Sequence, residues 1–351
     1  MAKILHEMLK TMAAKGASDL HVSAGQPPMI RVDGALLPLQ DHPLSPEESQ
    51  GICFEILSQE QVMRFEQDLE LDFSFAIKEV ARFRGNLYWQ QQSVSGAFRQ
   101  IPFQVPSFEE LGLPEPVQKL AYRPNGLVLV TGATGSGKST TMAAIINAMN
   151  QLKAYHVITV EDPIEFIFKP NKCLIHQREV GKDTQSFTNG LKYILREDPD
   201  VVLIGEMRDL ETIRAAITIA ETGHLVLATL HTNTAVQSID RIIDVFPSHQ
   251  QAQVRVQLSF ILQGILSQQL LSKTGKGRCL ALETLLPTPA IRNLIREGKS
   301  HQIYAQMQLG QEATGMQTMN QALAALVKKK MVTQEESLAR SPDTEELKRL
   351  L

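Results

Sequence analysis

The chain has 351 residues, 43% hydrophobic and 21% charged, a balance that excludes a disordered, collagenous or coiled-coil whole and allows two domains with buried cores. Lys and Arg number 35 against 38 Asp and Glu, so the net charge of −3 provides no bulk attraction for nucleic acid. No apolar run approaches the ~20 residues that span a bilayer, and Glu7 interrupts the place where a signal peptide needs its apolar stretch, so the expected location is cytoplasmic.

In chain order, Ile4, Leu5, Met8, Leu9 and Met12 recur at helical spacing and Gly16 stops them, which predicts one amphipathic helix. Met29–Leu37 places Asp33-Gly34 between two short apolar segments, the signature of a tight hairpin. Ser45-Pro46-Glu47-Glu48 supplies an N-cap, a first-turn proline and first-turn acids, so a helix opens there. Leu71–Ala76 and Arg84–Gln90 alternate and carry aromatics, as strands do. Residues 1–101 therefore form a small α+β domain. Five prolines between Pro102 and Pro124 predict an interdomain connection over 102–125. From Gly126 onward short β-branched runs, Leu127–Val130, Val157–Val160, Val201–Ile204 and Leu225–Ala228, alternate with helical patterns, the texture of strands buried on both faces of a parallel sheet. After an Asp209 cap, Leu210, Ile213, Ile217 and Ala220 continue that pattern as a helix. An α/β core is expected over 126–270, followed by a polar, helical region over 271–351. Cys53, Cys173 and Cys279 are far apart, which predicts buried thiols and no C-x-x-C zinc knuckle.

The chemistry concentrates at strand ends. Gly132-Ala133-Thr134-Gly135-Ser136-Gly137-Lys138-Ser139 satisfies G-x-x-x-x-G-K-[ST], follows a predicted strand and precedes a helical pattern that runs from Thr141 to Met149, with Thr140 at its entry. Its glycines let backbone N–H groups turn toward a phosphate, Lys138 neutralises β/γ oxygens and the Ser139 hydroxyl reaches Mg²⁺, so ATP and Mg²⁺ are the expected ligands. The run Val201–Ile204 delivers Glu206 to the end of the next strand, either on the attacking water or in the magnesium shell. Glu161, Asp162 and Glu165 cluster after another strand, and His231 ends a fourth, where an imidazole would meet the γ-phosphate.

In these motifs the chain resembles the type IV pilus retraction motor (PilT) family of the secretion-superfamily ATPases. The acid box resembles Val160–Glu165, the second nucleotide motif Leu203–Asp209, and the histidine box Thr222–Thr232. Ser18–His21 and Arg82–Asn86 resemble the family's PAS-like domain, and Ala290-Ile291-Arg292-Asn293-Leu294-Ile295-Arg296 its C-terminal retraction motif. The resemblance implies a PAS-like domain followed by a RecA-like P-loop ATPase domain with a helical C-terminal part, assembled as a ring hexamer. It further implies a motor that turns ATP hydrolysis into pilus retraction and twitching motility, at the cytoplasmic face of the inner membrane, beneath the pilus platform protein and alongside a second retraction-like ATPase. With no arginine assigned after the second nucleotide motif, transition-state charge falls to guanidinium groups from elsewhere, with Arg82, Arg84 and Arg99 as candidates acting in cis or from a neighbour. Ala290–Lys299 is read as a coupling segment, with Ile291, Leu294 and Ile295 on an apolar face and Arg292, Arg296 and Lys299 on another. The rival readings are a pilus assembly or type II secretion ATPase, against which the lack of paired cysteines and hence of zinc counts, and a nucleic-acid translocase, for which one Trp and no basic cluster are poor equipment.

Overall fold

The computed structural model describes residues 4–32, 34–78, 80–101, 105–275, 277–309 and 314–351. Chain contacts divide the molecule into two units, Met1–Gln104 and Val105–Leu351.

The first unit is built on an antiparallel sheet of six strands, in the order β3-β2-β1-β6-β5-β4. These are β1 (Asp19–Val22), β2 (Met29–Val32), β3 (Ala35–Pro38), β4 (Glu70–Ile77), β5 (Ala81–Gln90) and β6 (Ser93–Ile101). The expected hairpin is present as β2 and β3, with Val32 opposite Ala35, while its turn residue Asp33 lies outside the described residues. Three helices accompany the sheet: α1 (Ile4–Ala14), α2 (Pro46–Phe54) and α3 (Gln59–Asp68). α1 buries Leu5, Met8, Leu9 and Met12, the stripe its spacing announced. α2 and α3 each open on a capping box, Ser45 with Glu48 and Ser58 with Gln61, which satisfies backbone donors that a helix start leaves free. Along β5, Ala81, Phe83, Gly85 and Leu87 are buried while Arg82, Arg84, Asn86 and Tyr88 occupy the other face. Gly85 makes room for the Phe73 ring across the strand pair, since a Cβ there would lie 2.5 Å from it.

The second unit starts at Val105, and the proline-rich stretch expected as a connection folds onto it. Short helices α4 (Phe108–Leu111) and α5 (Glu115–Gln118) bury Phe108 and Val117, and the turns beside them bury Leu113, Leu120 and Ala121, in the same core as the sheet. The prolines punctuate these turns without detaching them, since Ser107 caps α4 and Pro116 sits in the first turn of α5. Residues 102–104 of that stretch lie outside the described residues.

Seven strands form the second sheet: β7 (Gly126–Thr131), β8 (His156–Glu161), β9 (Leu174–Glu179), β10 (Val201–Ile204), β11 (Leu225–Leu230), β12 (Leu262–Ser272) and β13 (Arg278–Leu285). Their order is β13-β12-β7-β11-β10-β8-β9. β7, β10 and β11 are buried at every position, which is why they read as uninterrupted apolar runs. Between them run α6 (Lys138–Leu152), α7 (Phe187–Ile194), α8 (Leu210–Glu221), α9 (Ala235–Asp244) and α10 (Ser248–Ile261).

One expectation needs correcting. Residues beyond 270 begin as strand, not helix: β12 continues to Ser272 and β13 pairs antiparallel with it from Leu271↔Cys279 to Ile265↔Leu285. The strand pair looks polar because it buries polar side chains that bond within the fold: Ser267 with Thr131 and Gln268 Nε2 with Thr141 along β12, and Glu283 of β13 with two backbone N–H groups. Helices follow only afterwards, as α11 (Pro289–Arg296), α12 (Ile303–Leu309) and three C-terminal helices, Met319–Lys328, Gln334–Arg340 and Thr344–Leu350. The three cysteines are free and buried.

Candidate active site

The site forms where the parallel strands end. β7 leads into Gly132, whose φ of +141° only glycine tolerates and whose Cβ would lie 2.5 Å from the Gln268 carbonyl oxygen and 2.6 Å from Ser136 Oγ. Gly135 and Gly137 also have positive φ, at +78° and +91°, and Gly137 is the N-cap of α6. The chain thus wraps tightly and opens a fifteen-residue helix whose unpaired N–H groups and dipole favour an anion. Lys138 is buried, and its Nζ donates to the carbonyl oxygens of Gly132 at 2.8 Å and Ala133 at 3.0 Å. Burial lowers the pKa of this ammonium, and the charges of Glu206 and Glu165 partly offset the shift.

Glu206 follows β10 through Gly205, which is held by its N–H on the Val160 carbonyl at 2.8 Å and packs tightly on Glu161, whose Cα would lie 3.2 Å from an added Cβ. One carboxylate oxygen of Glu206 lies 2.8 Å from Arg208 Nη2 and the other 3.3 Å from His231 Nε2, so the ends of β10 and β11 meet in an Arg–Glu–His triad. Burial pushes the Glu206 carboxyl up, but Arg208, His231 and Lys138 outweigh it and hold the group below its ordinary value. The two strand ends are further sutured by Thr229, whose hydroxyl donates to the Gly205 carbonyl and whose own carbonyl accepts from Met207 N–H.

Glu161 ends β8 and accepts from Thr159 Oγ1 at 2.6 Å and Gln177 Nε2 at 3.3 Å. Its burial pushes the carboxyl up to about 7, so Glu161 exchanges a proton near neutrality whereas Glu206 stays ionised. With Ser139, Met142, Phe166, Gly205 and Thr229 it lines a cavity of about 30 Å³. Glu165 lies exposed beyond it.

Other expected residues are placed as follows. Arg208, inside the second nucleotide motif, stands two residues past Glu206, on the turn before α8, and pairs with it directly. Arg82 donates to Ser74 Oγ at 2.9 Å, Arg84 lies 3.6 Å from Asp72 and Arg99 2.8 Å from Asp19, each with a partner on its own N-terminal sheet. In the coupling segment Thr288 caps α11, Ile291 and Ile295 are buried and Leu294 packs against the same cluster. Arg292 has a partner other than an acid: its Nη1 donates to the carbonyl oxygens of Ser259 at 2.5 Å and Phe260 at 3.0 Å, closing the C-terminal turn of α10. Arg296 lies 5.7 Å over the Phe260 ring, at cation–π distance. Sequence reasoning missed Gln177 and Gln268, which reach the site from β9 and β12 and belong to no motif.

A PAS-like α+β unit followed by a RecA-like P-loop core, with two strand-end acids and a histidine beside the phosphate loop, defines a nucleotide-hydrolysing ATPase. The profile of the family described as "Type II/IV secretion system protein" matches residues 1–275. The chain is 50% identical over 329 residues to the type IV pilus retraction ATPase PilT of Pseudomonas aeruginosa, covering 94% of this chain and 95% of that protein. It is 48% identical over 321 residues to a twitching motility protein of Neisseria gonorrhoeae, covering 91% and 86% respectively. A crystal structure of the pilus retraction motor PilT with bound ADP superposes with a TM-score of 0.92 at 52% identity, over 99% of this chain and all of that one. The chain belongs to the type II/IV secretion ATPase family, on its pilus-retraction branch.

Proposed function

We infer that this protein is an ATP-hydrolysing motor that powers type IV pilus retraction and thereby twitching motility. The observation that carries the reading is the convergence of Lys138, Glu206 and His231 at adjacent strand ends, within a chain that matches retraction ATPases over nearly its whole length. Lys138 and the N–H groups of the loop hold the β- and γ-phosphates. Glu206, kept ionised, takes up the proton side of the attacking water, and His231 fixes its orientation and donates to a γ-phosphate oxygen. Glu161, the more easily protonated acid, and Glu165 flank this pair.

Magnesium fits the hard oxygen donors that Ser139 and Glu161 place beside the loop, at a small cavity whose other side is the apolar wall of Met142, Ala143, Phe166, Phe168 and Leu203. Ser139 would hold the ion, which when bound with nucleotide neutralises charge on the phosphate oxygens.

The working species in this reading is a ring hexamer, in which Arg82, Arg84 or Arg99 reaches a neighbour's nucleotide while Arg208 serves its own site. The ring acts on the platform protein of the inner membrane, with a second retraction-like ATPase as a further partner. No described helix is long and apolar enough to cross a membrane, so attachment there would be peripheral. The test is ATP turnover by the purified protein, with the mass of the assembled species measured in parallel and twitching scored in cells lacking the gene. Turnover by a hexamer and restored twitching are expected, and a protein that binds no nucleotide overturns the reading.

A further inference from the structure

β7 stops at Thr131, but β12, which runs parallel beside it, continues past that point beneath the phosphate loop. Thr131 Oγ1 donates to Ser267 Oγ at 2.9 Å, fixing the register of the two strands at the last residue before the loop. One residue further, the backbone carbonyl of Gln268 presses against Gly132 so closely that no Cβ fits between them. Leu270, next on the same face, lies against Gly137 at the other end of the loop. The phosphate loop therefore rests on β12.

The Gln268 side chain is 1% exposed and spans from this floor to the helix that the loop opens: its Nε2 donates to Thr141 Oγ1 at 2.7 Å. Thr141 is itself buried and sits in the first turn of α6, with its N–H on the Gly137 carbonyl. Burying an amide costs free energy unless it is bonded, so a glutamine in this position is expensive compared with a leucine. Gln268 Oε1 is buried and has no protein partner, and Ser136 Oγ in the loop above is in the same condition. A packing role would be served by Met or Leu; what the amide adds is the bond to Thr141 in the first turn of α6.

We propose that Gln268 is a positioning residue of the nucleotide site, a strut that holds the first turn of α6 at a fixed distance from β12 and so presets the loop for the phosphates. It touches neither nucleotide nor water in this role and acts through Thr141. β12 follows directly from α10, whose last carbonyls Arg292 of α11 closes, so the strut is also the internal end of a continuous path to the coupling helix. The proposal rests on the ATPase reading and adds to it a residue outside every nucleotide motif.

The experiment uses the full-length protein and titrates Mg·ADP by calorimetry, alongside steady-state ATP turnover. Gln268→Met keeps volume and loses the amide, and Thr141→Val keeps shape and loses the hydroxyl. One neutral hydrogen bond that presets a site is worth about three- to tenfold in affinity. Each variant is expected to weaken ADP by that factor and to raise KM for ATP far more than it lowers kcat, the pattern of lost uniform binding. The double variant should be no weaker than either single one, because both break the same bond. Wild-type ADP affinity in Q268M, or losses that add in the double variant, overturns the strut. A lower melting temperature with KM unchanged assigns Gln268 to packing and likewise overturns it. If Q268M does not fold, Thr141→Val alone decides, unchanged affinity rejecting the proposal. A wild-type protein that binds no ADP overturns the functional reading together with the strut, so the two failures are distinguishable.

Discussion

The two sheets of this molecule place charged side chains by opposite rules. In the N-terminal sheet, where β5 pairs antiparallel on both sides, alternate residues face away from the core, so Arg82 and Arg84 stand in mid-strand among polar partners. In the C-terminal sheet β7, β10 and β11 are buried at every position, and nothing ionisable sits within them. Polarity is displaced to the strand ends, where Lys138, Glu161, Glu206 and His231 follow β7, β8, β10 and β11. A fully buried parallel sheet focuses chemistry onto one edge, whereas an antiparallel sheet distributes it over a face. An arginine in the first sheet thus has a local hydrogen bond or ion pair to lose, while a charge at the end of the second stands in the candidate site.

The largest effect expected from this contrast is at the strand ends. Lys138→Ala should abolish nucleotide binding, and Glu206→Gln should bind ATP yet turn it over about a hundredfold or more slowly, since it retains the phosphate site and loses the carboxylate that polarises water. Binding by calorimetry and phosphate release separate the two, and equal loss of binding in both contradicts the division of roles.

Next are the face arginines. Arg82→Ala, Arg84→Ala or Arg99→Ala should impair turnover only if the face serves a neighbour's site, and then a mixture with Lys138→Ala subunits should recover activity that neither protein has alone. Full-rate turnover by a monomer would confine each arginine to its local partner.

Glu283 sharpens the contrast, being a carboxylate inside the C-terminal sheet that is buried and only structural. It accepts from the first N–H of α9 at 2.7 Å and from that of helix Met319–Lys328 at 3.1 Å, and burial raises its pKa. Glu283→Gln sets an NH₂ against one of those donors and should cost about 1–3 kcal/mol of stability, read by urea denaturation.

The smallest effect belongs to Asp19 on β1. Burial pushes this carboxyl up, but the Ser18 hydroxyl and the Arg99 guanidinium outweigh it, so the folded value lies below the ordinary one. A depressed carboxylate contributes stability that is fully present above its unfolded pKa of about 4 and is lost as pH falls through the folded value. Because Arg99 is largely exposed, Asp19→Asn should cost under about 1 kcal/mol at pH 7, and the difference from wild type should begin to shrink as pH falls below about 4 and vanish below the folded value. A difference that grows on acidification would break the assignment.

What could be read in the chain alone was local. The phosphate loop, the capped helix after Asp209, the hairpin strands at Met29–Val32 and Ala35–Pro38 and the acids Glu161 and Glu206 near strand ends each depend on a few adjacent residues whose backbone needs or periodicity are written in order. Arg208 was also adjacent, inside the second nucleotide motif, but its role depends on the distance to Glu206, which spacing does not supply. The sheet beyond residue 270, the attachment of 105–125 to the second unit and the Gln268–Thr141 strut required the tertiary structure. The polar Ser267, Gln268 and Glu283, and the apolar residues set between the prolines of 105–125, are buried against partners distant along the chain, and such contacts leave no periodic trace. Sequence by itself determined the phosphate-loop motif and the positions of the acids and the histidine near strand ends; the packing of β12 under the loop decided how that loop is held, because close contact between strands far apart in sequence is a property of the folded sheet.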